Sequence, residues 1–358
     1  MKVSEIKRIV LDPRFKVNYA SYYLFGIIQL IGKKRVKFRC LEDVIVETDR
    51  ASRVGFAMHV ETTEDVKRVY IDYGDWSEID ETLYKWADVY AKINVKPEDA
   101  QRERVLVIGP SFGIRLWSPL KCMLQGLRNY RHIKQECGTA FKRSLKHYMM
   151  DYGYMFIRRK SYGYYHRFSV DEQPGYAFSY NTLWYGDQAD QSTNKLRGDF
   201  MRECNRLMPH FEGGFFYNDK SGVLKEFPKY KQYLQEYGEF INRKRLPMND
   251  YDKRNRKSWF VFNTPSVSYC HGWKLAEFLC EGKAIISTHL MNLMPMDFKN
   301  GTHYIEANTP DEMAGAIVKL RDNGDLVQQL KQNAFQYFND VLAPEVVMKR
   351  IFNRALCN

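Results

Sequence analysis

Apolar and polar positions along the first 150 residues switch between two periods. Ile6 to Leu11 is an apolar-rich run stopped by Asp12-Pro13, and Arg35 to Cys40 alternates strictly, the pattern of a half-buried strand. Tyr19 to Ile31 is longer, ends at Gly32 and predicts a helix. Val54 to Val60 and Val69 to Asp72 are further strand candidates, and Ser77 to Trp86 reads as a helix with Glu78 and Glu81 in its first turn. Val105 to Ile108 is a continuous apolar run ending at Gly109-Pro110, the mark of a buried parallel strand, and Leu116 to Tyr130 follows as a helix. Such alternation predicts a parallel sheet covered on both faces.

Near residue 150 the texture changes. Tyr152 to Tyr180 is dense in tyrosine and carries Gly153, Gly163, Pro174 and Gly175, a poor helix and a plausible crossing between domains. A second alternating series then begins. Strands are expected at Tyr176 to Trp184, Gly214 to Tyr217, Trp259 to Asn263, Ala284 to Thr288 and His303 to Glu306. Helices are expected at Asn194 to Met208, Tyr230 to Arg243, Gly272 to Glu281 and Thr309 to Asp322, with a last helix broken near Pro344. The expected architecture is α/β, two halves of similar size facing a cleft, with ligands outside the carboxyl ends of the strands.

Composition narrows the partners. The chain has 358 residues, and its 44% hydrophobic content excludes wholesale disorder. A formal net charge of +12 favours an anionic partner, whether nucleic acid, acidic membrane or phosphorylated ligand. Seven cysteines include no C-x-x-C pair, and the eight histidines supply no clustered zinc ligands. The start lacks the apolar core of a signal peptide, and Tyr19 to Ile31 is too short to span a bilayer. These features read as a reduced, soluble, cytoplasmic protein.

Several chemistries have no motif. A Walker loop, G-x-S-x-G, H-E-x-x-H and a kinase loop are all missing, and Gly109-Pro-Ser-Phe-Gly113 lacks the third glycine of a dinucleotide fingerprint. Arg158, Arg159, Lys160, Tyr162, Tyr164, Tyr165 and Arg167 could stack bases, but a solvated interdomain face explains them too. The informative segment runs from Ser266 to Thr288. A loop turns at His271-Gly272 into a helix whose first amides form an anion site, and Lys274 adds a cation there. Leu275, Phe278 and Leu279 make the buried stripe; Glu277 lies off it, where its carboxylate could accept from two ribose hydroxyls or simply meet solvent.

Gly272-x4-Glu277 followed by Phe-Leu-Cys-Glu-Gly282-Lys-Ala-Ile-Ile-Ser resembles the donor-binding signature of GT-B glycosyltransferases, G-x4-E-A-x-A-x-G-x-P-V-I. Gly301 to Ile317 is similar to the family's run ending E-E-L-A-x-A-I, and the resemblance covers roughly Ser258 to Asn358. Ile71-Asp-Tyr-Gly-Asp-Trp76 and Lys274-Leu-Ala-Glu-Phe-Leu279 also look like glycosyltransferases of bacterial surface-polysaccharide pathways. The resemblance implies two Rossmann-like domains: 1–165 binding acceptor, 166–335 binding a nucleotide-diphosphate sugar, and 336–358 a helix packing back on the first. It implies that Glu277 holds the donor ribose, that Gly272, Trp273 and Lys274 cradle the diphosphate, and that Thr264 and Ser266 line the donor loop. Two departures stand out. Tyr269 occupies the place of the retaining subfamily's second glutamate, and Phe178 to Trp184 replaces its basic pair. Lys195 and Arg197 follow in the next helix, where either could neutralise the leaving diphosphate or lie on the surface. Retention and inversion both stay open.

Rate in such a transfer comes from amides and cations at the departing diphosphate, here expected without metal or other cofactor. An inverting reaction needs a base near the acceptor hydroxyl; Asp75, with Asp72 and Asp12 as alternatives, follows a strand of the first half, and each could equally cap a turn. His271 could contact phosphate or acceptor. A saccharide or lipid-linked acceptor would bring the protein to an anionic leaflet, with Lys33-Lys34-Arg35 as one basic patch unless Tyr19 to Ile31 is simply core. Two rivals are an idle nucleotide-sugar-binding protein and a basic nucleic-acid-binding module.

Overall fold

The computed structural model describes residues 3–44, 55–137, 141, 143–186, 192–217 and 226–357, so the expected strand start at Val54 lies outside the described residues. The chain forms two compact units: Met1–His166 with Asn292–Met296 and Asn339–Asn358, and Arg167–Met291 with Asp297–Phe338.

The first unit contains β1 (Arg8–Leu11), α1 (Val17–Ile31), β2 (Val36–Phe38), β3 (Gly55–Glu61), β4 (Val66–Asp72), α2 (Glu81–Trp86), β5 (Val89–Lys92), β6 (Val105–Val107), α3 (Pro119–Glu136) and α4 (Leu145–Arg158). Its sheet runs β2-β1-β3-β4-β5-β6. An all-parallel sheet was expected, but β3 is antiparallel to both β1 and β4. The reason is the connection: Thr62 to Asp65 closes a tight turn, with the Thr62 amide donating to the Asp65 carbonyl at 2.9 Å. A turn that short makes only a hairpin, since a parallel crossover needs a dozen residues or more. α2 starts at Glu81 rather than Ser77 because the Asp80 carboxylate caps it, accepting from the Thr82 and Leu83 amides at 3.1 Å each.

The tyrosine-rich stretch is helical over its first part, against the expectation of an irregular crossing. Tyr148, Asp151, Tyr152 and Met155 are buried at helical spacing on α4. That face packs against α3, where Asn129 donates to the Tyr152 hydroxyl at 2.9 Å, and packing overrides the modest helix propensity of tyrosine. Cys40 and Cys137 are joined as a disulfide, Cα atoms 6.7 Å apart, which corrects the reading of seven reduced thiols. α1 is a core helix, and Arg35 caps it by donating to the Ile31 carbonyl at 2.7 Å and to Ile6 at 2.8 Å. No helix among the described residues is long and apolar enough to cross a membrane.

The second unit contains β7 (Tyr176–Thr182), α5 (Thr193–Leu207), β8 (His210–Phe216), α6 (Pro228–Glu236), β9 (Ile241–Asn242), α7 (Met248–Lys257), β10 (Val261–Asn263), α8 (Trp273–Glu281), β11 (Ile285–Ser287), β12 (Ile305–Glu306), α9 (Pro310–Arg321) and α10 (Gly324–Tyr337). β7, β8 and β9 are parallel, as are β10, β11 and β12. The two sets abut: Trp259 donates its amide to the Tyr176 carbonyl, and Phe178 donates to Ser258 Oγ, both at 2.8 Å. The strand series is therefore β9-β8-β7-β10-β11-β12, whose order reverses between β7 and β10. That is the Rossmann order, and the reversal opens a crevice at the carboxyl ends of those two strands. The helix expected over Tyr230 to Arg243 stops at Glu236, its remainder supplying edge strand β9. Phe200 stacks on Phe262 at 3.9 Å in the core, with Ile286, Ile317 and Leu330 around them.

The last helix, α11 (Pro344–Cys357), belongs to the first unit, so the chain returns there at its end. It lies against α1 so closely that a methyl group at Gly26 would collide with the Pro344 carbonyl, and the Tyr22 hydroxyl donates to the Leu342 carbonyl.

Candidate functional site

β10 ends at Asn263, and the chain reaches α8 through a tight loop. The Ser266 amide donates to the Cys270 carbonyl at 2.9 Å, and Ser268 and Tyr269 take φ of 53° and 58°. Left-handed backbone at two consecutive non-glycine residues costs roughly 1–3 kcal/mol each, held by the surrounding fold. Gly272 is the N-cap of α8, with φ −75° and no capping side chain. A Cβ there would meet only the Ser266 Cβ, at 3.6 Å, so neither backbone nor packing demands glycine. Without a capping side chain, the positive end of the α8 dipole faces this loop, a setting that favours an anion.

Five segments bring side chains to this point. Lys274, in the first turn of α8, donates to the Tyr180 carbonyl at 3.0 Å and to Asn181 Oδ1 at 2.8 Å, both at the carboxyl end of β7. Arg197, buried on α5, donates through Nε to Thr264 Oγ1 at 2.9 Å, just past β10. Its guanidinium lies 4.5 Å over the Trp184 ring, and among the described residues its Nη groups make no hydrogen bond. Asn194 holds Trp184 in place, accepting from its amide at 2.9 Å and donating to its carbonyl at 2.7 Å. Tyr251, from α7, closes the cluster, its ring 5.4 Å from the Lys274 ammonium.

Two cations and one carboxylate meet here, Arg197 buried and Lys274 and Glu277 half-buried. Burial pushes the Lys274 ammonium down to about 7, the neighbouring Arg197 pushes the same way, and Glu277 pulls it back up. Burial lowers Arg197 to about 10 against an upward pull from Tyr251, and the Tyr251 phenol is held well above its usual range by burial and then by Glu277. Lys274, Arg197, Glu277 and Tyr251 thus feel one another's charge. An anion placed between the two cations would relieve the cost of burying them.

Of the expected site residues, the structure gathers Arg197, Lys274, Glu277, Thr264 and the Gly272 cap. Trp273 and Ser266 are half-buried at the same helix start, and His271 is buried just before the cap. Lys195 is placed elsewhere. Two helical residues apart means a 200° turn, and Lys195 pairs with Asp199 at 2.5 Å, its side chain 53% exposed. Asp75 lies in the first unit, exposed on the turn after β4. Its alternatives are committed to structure: Asp72 accepts from Lys92 and Tyr90 at 2.7 Å each, and Asp12 from Arg14 Nε at 2.8 Å and the Leu41 amide at 3.0 Å. Sequence reasoning missed Asn181, Trp184, Asn194 and Tyr251. The first two sit in the stretch that departs from the family's basic pair, which was the available signal. Among the described residues no group of three or more His, Cys, Asp or Glu side chains is placed to hold a metal ion.

No protein-family model matches the chain, and no curated protein matches it in sequence. Among solved structures it is similar to a glycosyltransferase from Rickettsia africae, at 10% identity and TM-score 0.45 over 94% of this chain and 80% of that one. It is similar to Anabaena HepE in complex with UDP, at 12% identity and TM-score 0.44 over 78% and 66%. It is also similar to the C-terminal domain of a glycosyl transferase group 1 family protein, LpcC, from Francisella tularensis, at 12% identity and TM-score 0.32 over 48% and 86%. The chain spans 64% of HepE in its complex with UDP and glucose and 36% of TarM, under two thirds of either. At such scores the likeness carries no weight for chemistry, which rests on the residues above.

Proposed function

We propose that the chain is a glycosyltransferase that moves a hexosyl group from a nucleotide-diphosphate sugar to a saccharide or lipid-linked acceptor, in bacterial surface-polysaccharide synthesis. The observation that carries this reading is the Arg197–Lys274 pair beside Glu277, at the carboxyl ends of β7 and β10 and the N-terminus of α8. In the reaction the bond from the sugar's anomeric carbon to the diphosphate breaks, its electron pair leaving on the phosphate oxygen. The acceptor oxygen bonds that carbon and loses its proton. Negative charge grows at the departing oxygen, where Arg197, Lys274 and the α8 amides stand preorganised. Glu277 accepts from the ribose hydroxyls, His271 meets phosphate or acceptor, and the two cations take the place of a divalent metal. The first unit is the acceptor side, with Asp75 as its base, and the setting is cytoplasmic and peripheral to the inner membrane face.

The test is a thermal-shift panel of UDP, GDP, CMP and ADP with and without EDTA, on the protein and on Glu277→Ala. UDP, the ligand in the HepE complex, comes first. Ligand at a hundredfold excess over its Kd stabilises a native state by about 2.7 kcal/mol. A rise in melting temperature with one nucleoside diphosphate, unchanged by EDTA and reduced in Glu277→Ala, is the expected result. No shift with any of the four would remove the donor-site reading.

A further inference from the structure

α3 has two apolar faces, and only one is used by the fold. Cys122, Gly126, Asn129 and Ile133 are buried, with Cys122 Sγ donating to the Tyr152 carbonyl at 3.3 Å and Asn129 bonded to the Tyr152 hydroxyl. On the opposite side Leu120 (62% exposed), Met123, Leu124 (55%) and Leu127 stand in solvent. Their spacing of three, four and seven residues makes one continuous stripe, about 10 Å long at 1.5 Å rise per residue. Isolated exposed apolar residues need no explanation; three leucines and a methionine in register on one helix face do.

The charges around the stripe identify what would cover it. On the same helix Lys121 and Arg128 flank it and Arg131 continues it toward the C-terminus, all three exposed, while Lys134 donates to the Phe141 carbonyl at 3.2 Å. From Pro119 to Gln135 there is no aspartate or glutamate. An apolar stripe accompanied on its helix only by cations from Pro119 to Gln135, with Glu136 at the end paired to His132, has the composition of a helix lying in the headgroup layer of an anionic bilayer, with apolar side chains among the upper acyl chains and Lys/Arg among the phosphates. A second copy of the chain fits poorly, because joining two such faces would oppose like charges across the contact. The patch expected from sequence, Lys33 to Arg35, is different in kind: Arg35 is occupied capping α1, and α1 itself is core.

We propose that the outer face of α3 docks this protein on an anionic lipid surface, with Leu120, Met123, Leu124 and Leu127 inserted and Lys121, Arg128 and Arg131 on the headgroups. The inference gives a surface to the membrane contact proposed above and does not depend on sugar transfer itself, since it concerns neither the α8 site nor the second unit.

Co-sedimentation of the whole chain with vesicles tests it, comparing mixed phosphatidylglycerol and phosphatidylcholine with phosphatidylcholine alone. Two variants are paired: Leu124→Gln with Leu127→Gln, and Arg128→Gln with Arg131→Gln; Val66→Gln, an exposed position on β4, is the control. All the substituted side chains are exposed, and circular dichroism confirms that each variant is folded. The protein should bind the anionic vesicles and not the neutral ones, less tightly as salt is raised. Each headgroup cation strengthens partition about fivefold, so the arginine pair should weaken it about thirtyfold. The leucine pair should weaken it about tenfold or more, and the control should not change it. Failure to bind anionic vesicles at low salt overturns the proposal, as does binding that survives the leucine pair. A concentration-dependent dimer that the leucine pair abolishes, without vesicle binding, would assign the face to self-association instead.

Discussion

Lys274 is the residue on which the site's chemistry turns. Its ammonium is held by a carbonyl and an amide oxygen, yet burial and Arg197 bring it down to about 7, so near neutrality it is half charged. A diphosphate beside it favours the charged form and raises that value. Proton uptake then accompanies binding, and the sign follows from linkage. Affinity for the nucleoside diphosphate is greatest and level between about pH 6, where the terminal phosphate takes up a proton of its own, and about pH 7. It falls as pH rises above that value, by up to about tenfold per unit, until the bound form's own pKa is reached. Titration calorimetry at several pH values measures it, and Lys274→Met should bind more weakly and lose this slope. An affinity level from pH 6 to 9 in the unmodified chain would show that the ammonium does not meet the phosphate.

At the scale of elements, helix phase decides which residue is functional. Lys195 and Arg197 were equivalent candidates in the sequence, because a charge on α5 gives no sign of which face it occupies. The packing of Phe200 and Cys204 into the core sets the rotation that buries Arg197 and sends Lys195 to Asp199. The Gly272-x4-Glu277 loop and helix were legible, being contiguous chain with its own caps and stripe. Asn181, Trp184 and Tyr251 were not, because they arrive from separate segments and only tertiary packing brings them together. The β3–β4 hairpin was misread for a related reason: strand periodicity says nothing of direction, which the length of the turn decides. The contact of α1 with α11 makes a test at this scale. Gly26→Ala pushes a methyl into the Pro344 carbonyl and should cost about 1–3 kcal/mol in urea unfolding, the usual range for overpacking. An unchanged midpoint would mean that the C-terminal helix is not seated on α1 as described.

For the molecule as a whole, the alternation of strands and helices along both halves of the chain was legible in the hydrophobic rhythm. The charge excess was legible too, but not its distribution. Arg197 and Lys274 concentrate positive charge in the second unit's crevice, and α3 carries it on an apolar surface of the first. The central claim is that the crevice at the carboxyl ends of β7 and β10 binds a nucleoside diphosphate through Arg197. The direct measurement is calorimetric titration of the diphosphate that gives the largest thermal shift into three proteins: the unmodified chain, Arg197→Met and Lys195→Met. Binding by the first and third with similar Kd, and a loss of about thirtyfold or more in Arg197→Met, is the predicted result, since a charged hydrogen bond contributes some 1.5–3 kcal/mol and the ligand's charge would be left unanswered. Equal binding by folded Arg197→Met, or loss in Lys195→Met instead, would contradict it.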